Sequence, residues 1–383
     1  MSIDLDYFGM NYTDIRTIFD NSIVPPKDPS HMSRPKKPTL TILGGQPGSG
    51  KSTFIHSQDL LNSDERTIIV NQDDMPHFIP NFTEKFQNNP TRAMLHAEPI
   101  TQIWQYSLFD HAMAQKANVI YEMRDPYHLP AALTVAKIAG FDTKLSILST
   151  NQIESQIASY EKFERILQSN VCTTNIYNEN DYQRHAYSWH NAILGVEVEK
   201  AVDHLSVIRR DGAILYENAL NQDNNWQKDL AGYEVLVLEQ HRSLSPYESR
   251  DLNQRANNLI NSEVIIESHY FDKPTFISSM RNHIAHIDSE ASQFELLKDS
   301  PHNTLTAGKE WLENFRQTID RQSGFSNQIV ENAYIHNHVG DRVERFIDRV
   351  ENHVSTRINE QIQQRNAQLP KQMDHDQYKG LSL

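Results

Sequence analysis

Cysteine occurs once in this 383-residue chain, at Cys172, which excludes an internal disulfide framework and any zinc site built on several thiolates. No run of about 18 apolar residues is present either, so no membrane span is expected. The opening residues Met1-Ser2-Ile3-Asp4-Leu5-Asp6 lack the basic and apolar regions of an export signal. These lacks point to a cytoplasmic protein in a reducing compartment, with delivery into another cell by a signal-independent route as the alternative. Basic charge is also short: Lys+Arg 36 against Asp+Glu 50 leaves a net charge of −14. That balance argues against a nucleic-acid binder, because neutralising phosphates needs a basic surface. It leaves room for a phosphorylated small molecule held in a local basic pocket. Glycine numbers only 13, about half of the ~7% typical usage, and four of these, Gly44, Gly45, Gly48 and Gly50, crowd one short stretch.

What is present suffices for a folded protein, with hydrophobic residues at 38% and charged residues at 22%. The length predicts two domains. Residues 1–37 read as a short helix over Tyr12 to Phe19 and a Pro- and Lys-rich linker. Apolar β-rich runs follow at 40–43, 67–70, 118–121 and 143–148, alternating with helical stretches such as 91–116. This alternation predicts βαβ units and a mainly parallel sheet flanked by helices. Asp211-Gly212 between 206–210 and 213–216 predicts a hairpin. Beyond about residue 220, apolar residues recur at helical spacing. Examples are Phe276, Ile277, Met280, Ile284 and Ile287, then Trp311 to Ile319, then Val343 to Ile362. The expected organisation is therefore an α/β core over 38–220, an all-α domain over 221–370 and a disordered tail over 371–383.

Gly45-Gln46-Pro47-Gly48-Ser49-Gly50-Lys51-Ser52 fits G-x-x-x-x-G-K-[ST] between an apolar strand and a helix. Glycines let such a loop turn its N–H groups onto phosphate oxygens, and the helix N-terminus beyond adds its positive end. ATP and Mg²⁺ are the expected ligands of residues 45–53, Thr53 included, with Lys51 on the β/γ-phosphates and the Ser52 hydroxyl on the metal. Phosphoryl transfer further needs a carboxylate for the acceptor and cations for the developing charge. Asp73 and Asp74 end the second strand run and Glu122 ends the third, at the ligand edge of an open α/β sheet. Lys162, Arg165 and Arg184 are the candidate cations on or after a helix at 153–168.

Together these stretches resemble the zeta toxin family of P-loop kinases over roughly residues 38–220. The resemblance is carried by 44–52, by Val70-Asn71-Gln72-Asp73-Asp74 continuing to Pro80-Asn81-Phe82, and by Val119-Ile120-Tyr121-Glu122. It extends through Gly140-Phe141-Asp142-Thr143-Lys144, Tyr160-Glu161-Lys162-Phe163-Glu164 and the hairpin Arg209-Arg210-Asp211-Gly212. It implies a kinase acting on a sugar hydroxyl of UDP-N-acetylglucosamine, the toxin half of a toxin–antitoxin pair. Asp73 then matches the acceptor-activating aspartate and Glu122 the acceptor-site carboxylate, with Arg124 as a further substrate-binding candidate. Lys162 falls where the family usually has a phosphate-binding arginine, and Arg184 is placed as a second. Lys lacks the bidentate fork of Arg, and Met123-Arg124-Asp125 departs from the family's small-residue stretch. A nucleoside or dinucleotide acceptor therefore stands as an alternative, as does an ATP-gated interaction protein with little transferase activity. An antitoxin or other protein partner is expected on the N-terminal segment or the C-terminal helices, and residues 1–30 are a candidate inhibitory strap over the cleft.

His336-Asn337-His338 and the pair His283/His286 read as core or surface histidines rather than metal ligands. Cys172 reads as structural, and Trp189 and His190 as packing under a lid.

Overall fold

The structure is a computed structural model that describes residues 4–57, 65–169, 179–267 and 275–287. The chain divides into two units, 1–285 and 286–383. The apolar series at 311–319 and 343–362, the tail, Cys172, His336 and His338 lie outside the described residues.

Helix α1 (Tyr12–Ile18) opens with a capping box, in which the Asn11 side chain accepts from the Thr13 and Asp14 amides and the Asn11 amide donates to the Asp14 carboxylate. A six-stranded sheet follows, built from β1 (Thr39–Gly45), β2 (Thr67–Val70), β3 (Asn118–Glu122), β4 (Asp142–Ser149), β5 (His204–Arg209) and β6 (Ile214–Ala219). Its order is β2-β3-β1-β4-β5-β6, parallel throughout except for the terminal β5–β6 hairpin. Leu40, Ile42 and Leu43 of β1 are all fully buried, as a central parallel strand covered on both faces requires. Asp211-Gly212 makes the hairpin turn as expected, with Gly212 at φ 89° and the Asp211 carboxylate accepting from the Ala213 amide.

The crossovers are α2 (Lys51–Ser57), then α3 (Phe82–Asn88) and α4 (Pro90–Gln115), then α5 (Leu129–Ile138), and then α6 (Gln152–Ser169) with α7 (Glu179–Glu199). Asn89 caps α4 by accepting from the Arg92 amide, and Pro90 occupies its first turn. Ala93, Ala97, Ile100, Trp104, Leu108 and Ala112 line one face of α4 at helical spacing and are all fully buried.

Two expectations are corrected. The helix expected over Tyr12 to Phe19 forms as α1, but the proline-rich stretch after it is no free linker, being tied to the core at Asp28. Around it Leu5, Phe8, Met10, Ile15 and Ile23 are buried, and the Trp104 indole donates to the Ile15 carbonyl at 2.9 Å. Asp28, also buried, takes bonds from Arg66 Nε at 2.6 Å and from His111 Nε2 at 2.7 Å. Burial pushes that carboxyl up, but the Arg66 and His111 bonds prevail and hold it below the usual carboxylate range. The boundary expected near 220 also falls inside the first unit. Helices α8 (Gly232–Gln240) and α9 (Pro246–Ile260) continue the core: Leu236 and Val237 are fully buried, and Ser149 at the end of β4 donates to the Leu236 carbonyl. Arg255 of α9 pairs with Glu161 of α6 at 2.7 Å.

Phe8 is 2% exposed and packs on Phe82 with ring centroids 6.0 Å apart. Phe8→Ala is expected to lower unfolding stability by about 3–5 kcal/mol, read by chemical denaturation. A loss well below that range would mean the segment is not part of the core.

Candidate functional site

The loop between β1 and α2 turns back through left-handed backbone at Gly45 (φ 131°) and Gly48 (φ 74°). A methyl group at Gly45 would meet the Leu148 carbonyl oxygen at 2.2 Å, and one at Gly48 the Ser155 carbonyl oxygen at 2.0 Å. Glycine is therefore required at both by conformation and by space. The Lys51 ammonium donates to the Gly45 and Gln46 carbonyls at 2.9 and 3.1 Å. Desolvation pushes the Lys51 amine down to about 8, with the Lys162 and Arg124 charges adding to the shift and Glu122 opposing it.

Register places Glu122 beside Leu43, directly across from the loop. The Ser52 hydroxyl donates to its carboxylate at 3.2 Å. Burial first, then the charge of Asp73, holds Glu122 above the usual carboxylate range, although Lys51 opposes. Asp73 sits in a 3₁₀ turn after β2, where the Asn71 side chain accepts from its amide at 2.9 Å. Its carboxylate accepts from Lys162 Nζ at 2.7 Å and from Arg124 Nη2 at 3.1 Å. Burial raises the Asp73 carboxyl, but these two cations prevail and hold it well below the usual range. The same contact raises the Lys162 ammonium above its ordinary value. Asp74 turns the other way, onto Lys27 at 2.7 Å, which separates the two neighbouring aspartates.

Lys51, Ser52, Asp73, Glu122, Arg124 and Lys162 line one cleft of about 1230 Å³. Pro47 and Thr53 also line it, as do Arg165 and Arg184 on α6 and α7. Gln46 and Ser49 do not: both side chains are buried behind the loop, and Gln46 donates there to the Thr150 carbonyl at 2.8 Å and to Ser155 Oγ at 2.9 Å. Trp189 lies against Gly44 under the loop and donates to the Arg124 carbonyl, so it braces the loop strand rather than a lid. Among the described residues, none of 4–30 lines the cleft. No group of three or more metal-ligating side chains occurs among the described residues.

Arg210 was not among the expected site residues. It lines the cleft beside the loop, donating to the Gly48 carbonyl at 2.8 Å with Glu154 3.5 Å from its Nε. The available signal was an Arg-Arg pair at the ligand-side end of a strand. Tyr106, Tyr127 and His128 also line the cleft as an aromatic cluster, the two tyrosine ring centroids 5.3 and 4.8 Å from that of His128. These residues are scattered over α4 and the 3₁₀ turn before α5, and no linear motif marks them.

The zeta toxin family model matches residues 26–221, just over half of the chain. The chain belongs to the zeta toxin family. The match begins twelve residues before the expected position 38 and includes Lys27 and Asp28, which pair with Asp74 and Arg66. Two curated relatives named Toxin zeta are similar to the chain. That of Streptococcus pyogenes is 26% identical over 133 residues, 34% of this chain and 45% of the relative. That of Enterococcus hirae is 24% identical over 190 residues, 48% of this chain and 64% of the relative. The chain thus spans about half to just under two-thirds of the length of these relatives. A solved structure from the PezAT chromosomal toxin–antitoxin system of Streptococcus pneumoniae has the same fold. Its TM-score is 0.54 at 15% identity, over 68% of this chain and all of that one. In this zeta toxin family member, no helix among the described residues is long and apolar enough to cross a membrane.

Because Lys51 is depressed to about 8, its charge fades as pH rises through that value. ATP affinity measured by calorimetry is expected to hold below it and weaken above it, and Lys51→Met to remove both the affinity and its pH dependence. A wild-type profile flat across that value would place Lys51 outside the phosphate contacts.

Proposed function

We propose that this protein is an ATP-dependent kinase that phosphorylates a hydroxyl of a small nucleotide-bearing acceptor, with UDP-N-acetylglucosamine the acceptor to test first. The observation that carries this is the convergence of Asp73, Lys162 and Arg124 on one cleft opposite the loop residues Lys51 and Ser52. The cleft exceeds the roughly 300–1,000 Å³ of an ordinary small-molecule site, which suits two substrates side by side. The aromatic cluster of Tyr106, Tyr127 and His128 suits a heterocyclic base on the acceptor.

The loop and Lys51 hold the triphosphate, and Lys162 and Arg184 face its outer end. The acceptor oxygen attacks the γ-phosphorus as the bond to the β–γ bridging oxygen breaks, and Asp73 takes the hydroxyl proton. Asp73 is ionised at neutral pH but, while held by two cations, is a weak base. When Lys162 turns to the phosphoryl oxygens, one of those cations leaves and Asp73 gains basicity. Mg²⁺ fits at Ser52 and Glu122, an all-oxygen pair whose carboxylate is held protonation-prone by burial and by Asp73. When bound, it supplies positive charge to the phosphate oxygens.

A protein antitoxin is the partner that belongs with this function, as in the toxin–antitoxin system of the similar Streptococcus pneumoniae structure. The cytoplasm, where nucleotide-sugars and ATP are found, is the corresponding location.

The test is incubation with ATP and a panel of UDP-sugars, nucleosides and dinucleotides, read by mass spectrometry for an added phosphoryl group. UDP-N-acetylglucosamine is expected to gain it. Asp73→Asn is expected to slow transfer about 100- to 10,000-fold while ATP affinity stays near wild type. Near-normal turnover in that variant would remove Asp73 as the base.

A further inference from the structure

Behind the phosphate loop, away from the cleft, three buried polar side chains form a chain of hydrogen bonds. His190 Nε2 on α7 lies 2.6 Å from Gln240 Oε1, at the last residue of α8. Gln240 Nε2 donates to Gln46 Oε1, and Gln46 Nε2 donates to the Thr150 carbonyl and to Ser155 Oγ. Gln46, His190 and Gln240 are 1%, 5% and 5% exposed, and none of them lines the cleft. The donors run in one direction: imidazole N–H to Gln240, Gln240 amide to Gln46, Gln46 amide to the start of α6. The imidazole donates from Nε2 in either protonation state, and because burial pushes His190 down to about 4, the neutral ring makes that bond at neutral pH.

Helix α8 is itself fastened at its far end, where the Gly232 amide donates to the buried Glu197 carboxylate at 2.9 Å. It lies wholly beyond the segment that the family model matches, which ends at 221. Gln46 is the first variable position of the phosphate loop, so the orientation of its peptide unit helps to set where the loop amides point.

We propose that Gln240 is a positioning residue for nucleotide binding, holding the phosphate loop in its binding shape through Gln46. The proposal rests on the ATP-binding function above. Without the Gln240 amide, the His190 N–H faces a dry interior and Gln46 loses its Gln240 donor, keeping only its bonds to Thr150, Ser155 and Tyr182. Buried polar groups that lose a partner carry a desolvation penalty. Gln46 escapes it only by swinging toward the water of the cleft, which carries the loop backbone with it. Loop amides that must be pre-aimed at phosphate oxygens then bind less well.

The experiment is calorimetric ATP titration of the full chain, paired with thermal melting. Gln240→Leu is expected to weaken ATP binding about 10-fold, the loss that an unsatisfied buried group produces. Gln240→Glu keeps the shape and the acceptor for His190 but cannot donate to Gln46 Oε1, so it is expected to weaken binding comparably even if Gln240→Leu fails to fold. Glu197→Ala loosens the other end of α8 and is expected to lower Tm without moving Kd. ATP affinity unchanged in both Gln240 variants while Lys51→Met abolishes binding would overturn the proposal and leave the ATP site standing. Equal weakening by Glu197→Ala would also overturn it, by showing general loosening instead. Wild-type protein whose ATP binding is absent, or indifferent to Lys51→Met, would overturn the ATP site and this proposal with it.

Discussion

The close approach of Gly48 to the Ser155 carbonyl, with no space for even a methyl group between them, couples the phosphate loop to helix α6. Ser155 and Lys162 are seven residues apart, close to two helical turns, and therefore share a face of that helix. The contact that seats the loop thus also sets the position from which Lys162 reaches Asp73. Asn151 starts the helix by accepting from the Ile153 amide at 2.9 Å, directly after β4 ends. Strand, cap, loop contact and cation are links in one mechanical chain. Displacing any of them would move the ammonium relative to the carboxylate it faces.

Within that frame, two carboxylates in one cleft are driven apart in their proton affinity. Burial raises both, but Asp73 lies between Lys162 and Arg124, whereas Glu122 has a serine hydroxyl and the more distant Lys51. One is held as an anion and the other is pushed toward its protonated form. Pairs separated in this way by their surroundings are how a single site divides acid–base and ligand-holding duties. The acidity of the chain as a whole is no guide to this interior, where Lys51, Lys162, Arg124 and Arg210 converge.

The parallel core was readable because short apolar-rich runs such as Leu40 to Leu43 and Leu145 to Leu148 alternate with longer helical stretches along the chain. The Asp-Gly hairpin and the phosphate loop were equally plain, since each needs residues that few other conformations favour. Contacts across long sequence separations were not readable. Lys162 meets Asp73 across 89 residues, Arg210 meets Gly48 across 162 and Gln240 meets Gln46 across 194. The N-terminal segment was misjudged because Leu5, Phe8, Met10 and Ile23 follow no regular period, so their burial comes from tertiary contacts alone. Helices α8 and α9 fell into the separate domain expected beyond 220 because the helical spacing read there begins only at Phe276 and says nothing of where 232–260 pack.

The bond between Gln46 and Gln240 also has a meaning in time. During synthesis, the loop leaves the ribosome 194 residues ahead of the side chain that completes its rear wall. Helix α7, which supplies His190, also comes before that partner. A growing chain that already holds every residue matched by the family model still lacks one of the loop's supports. The phosphate loop of this protein is made early and its full set of contacts late.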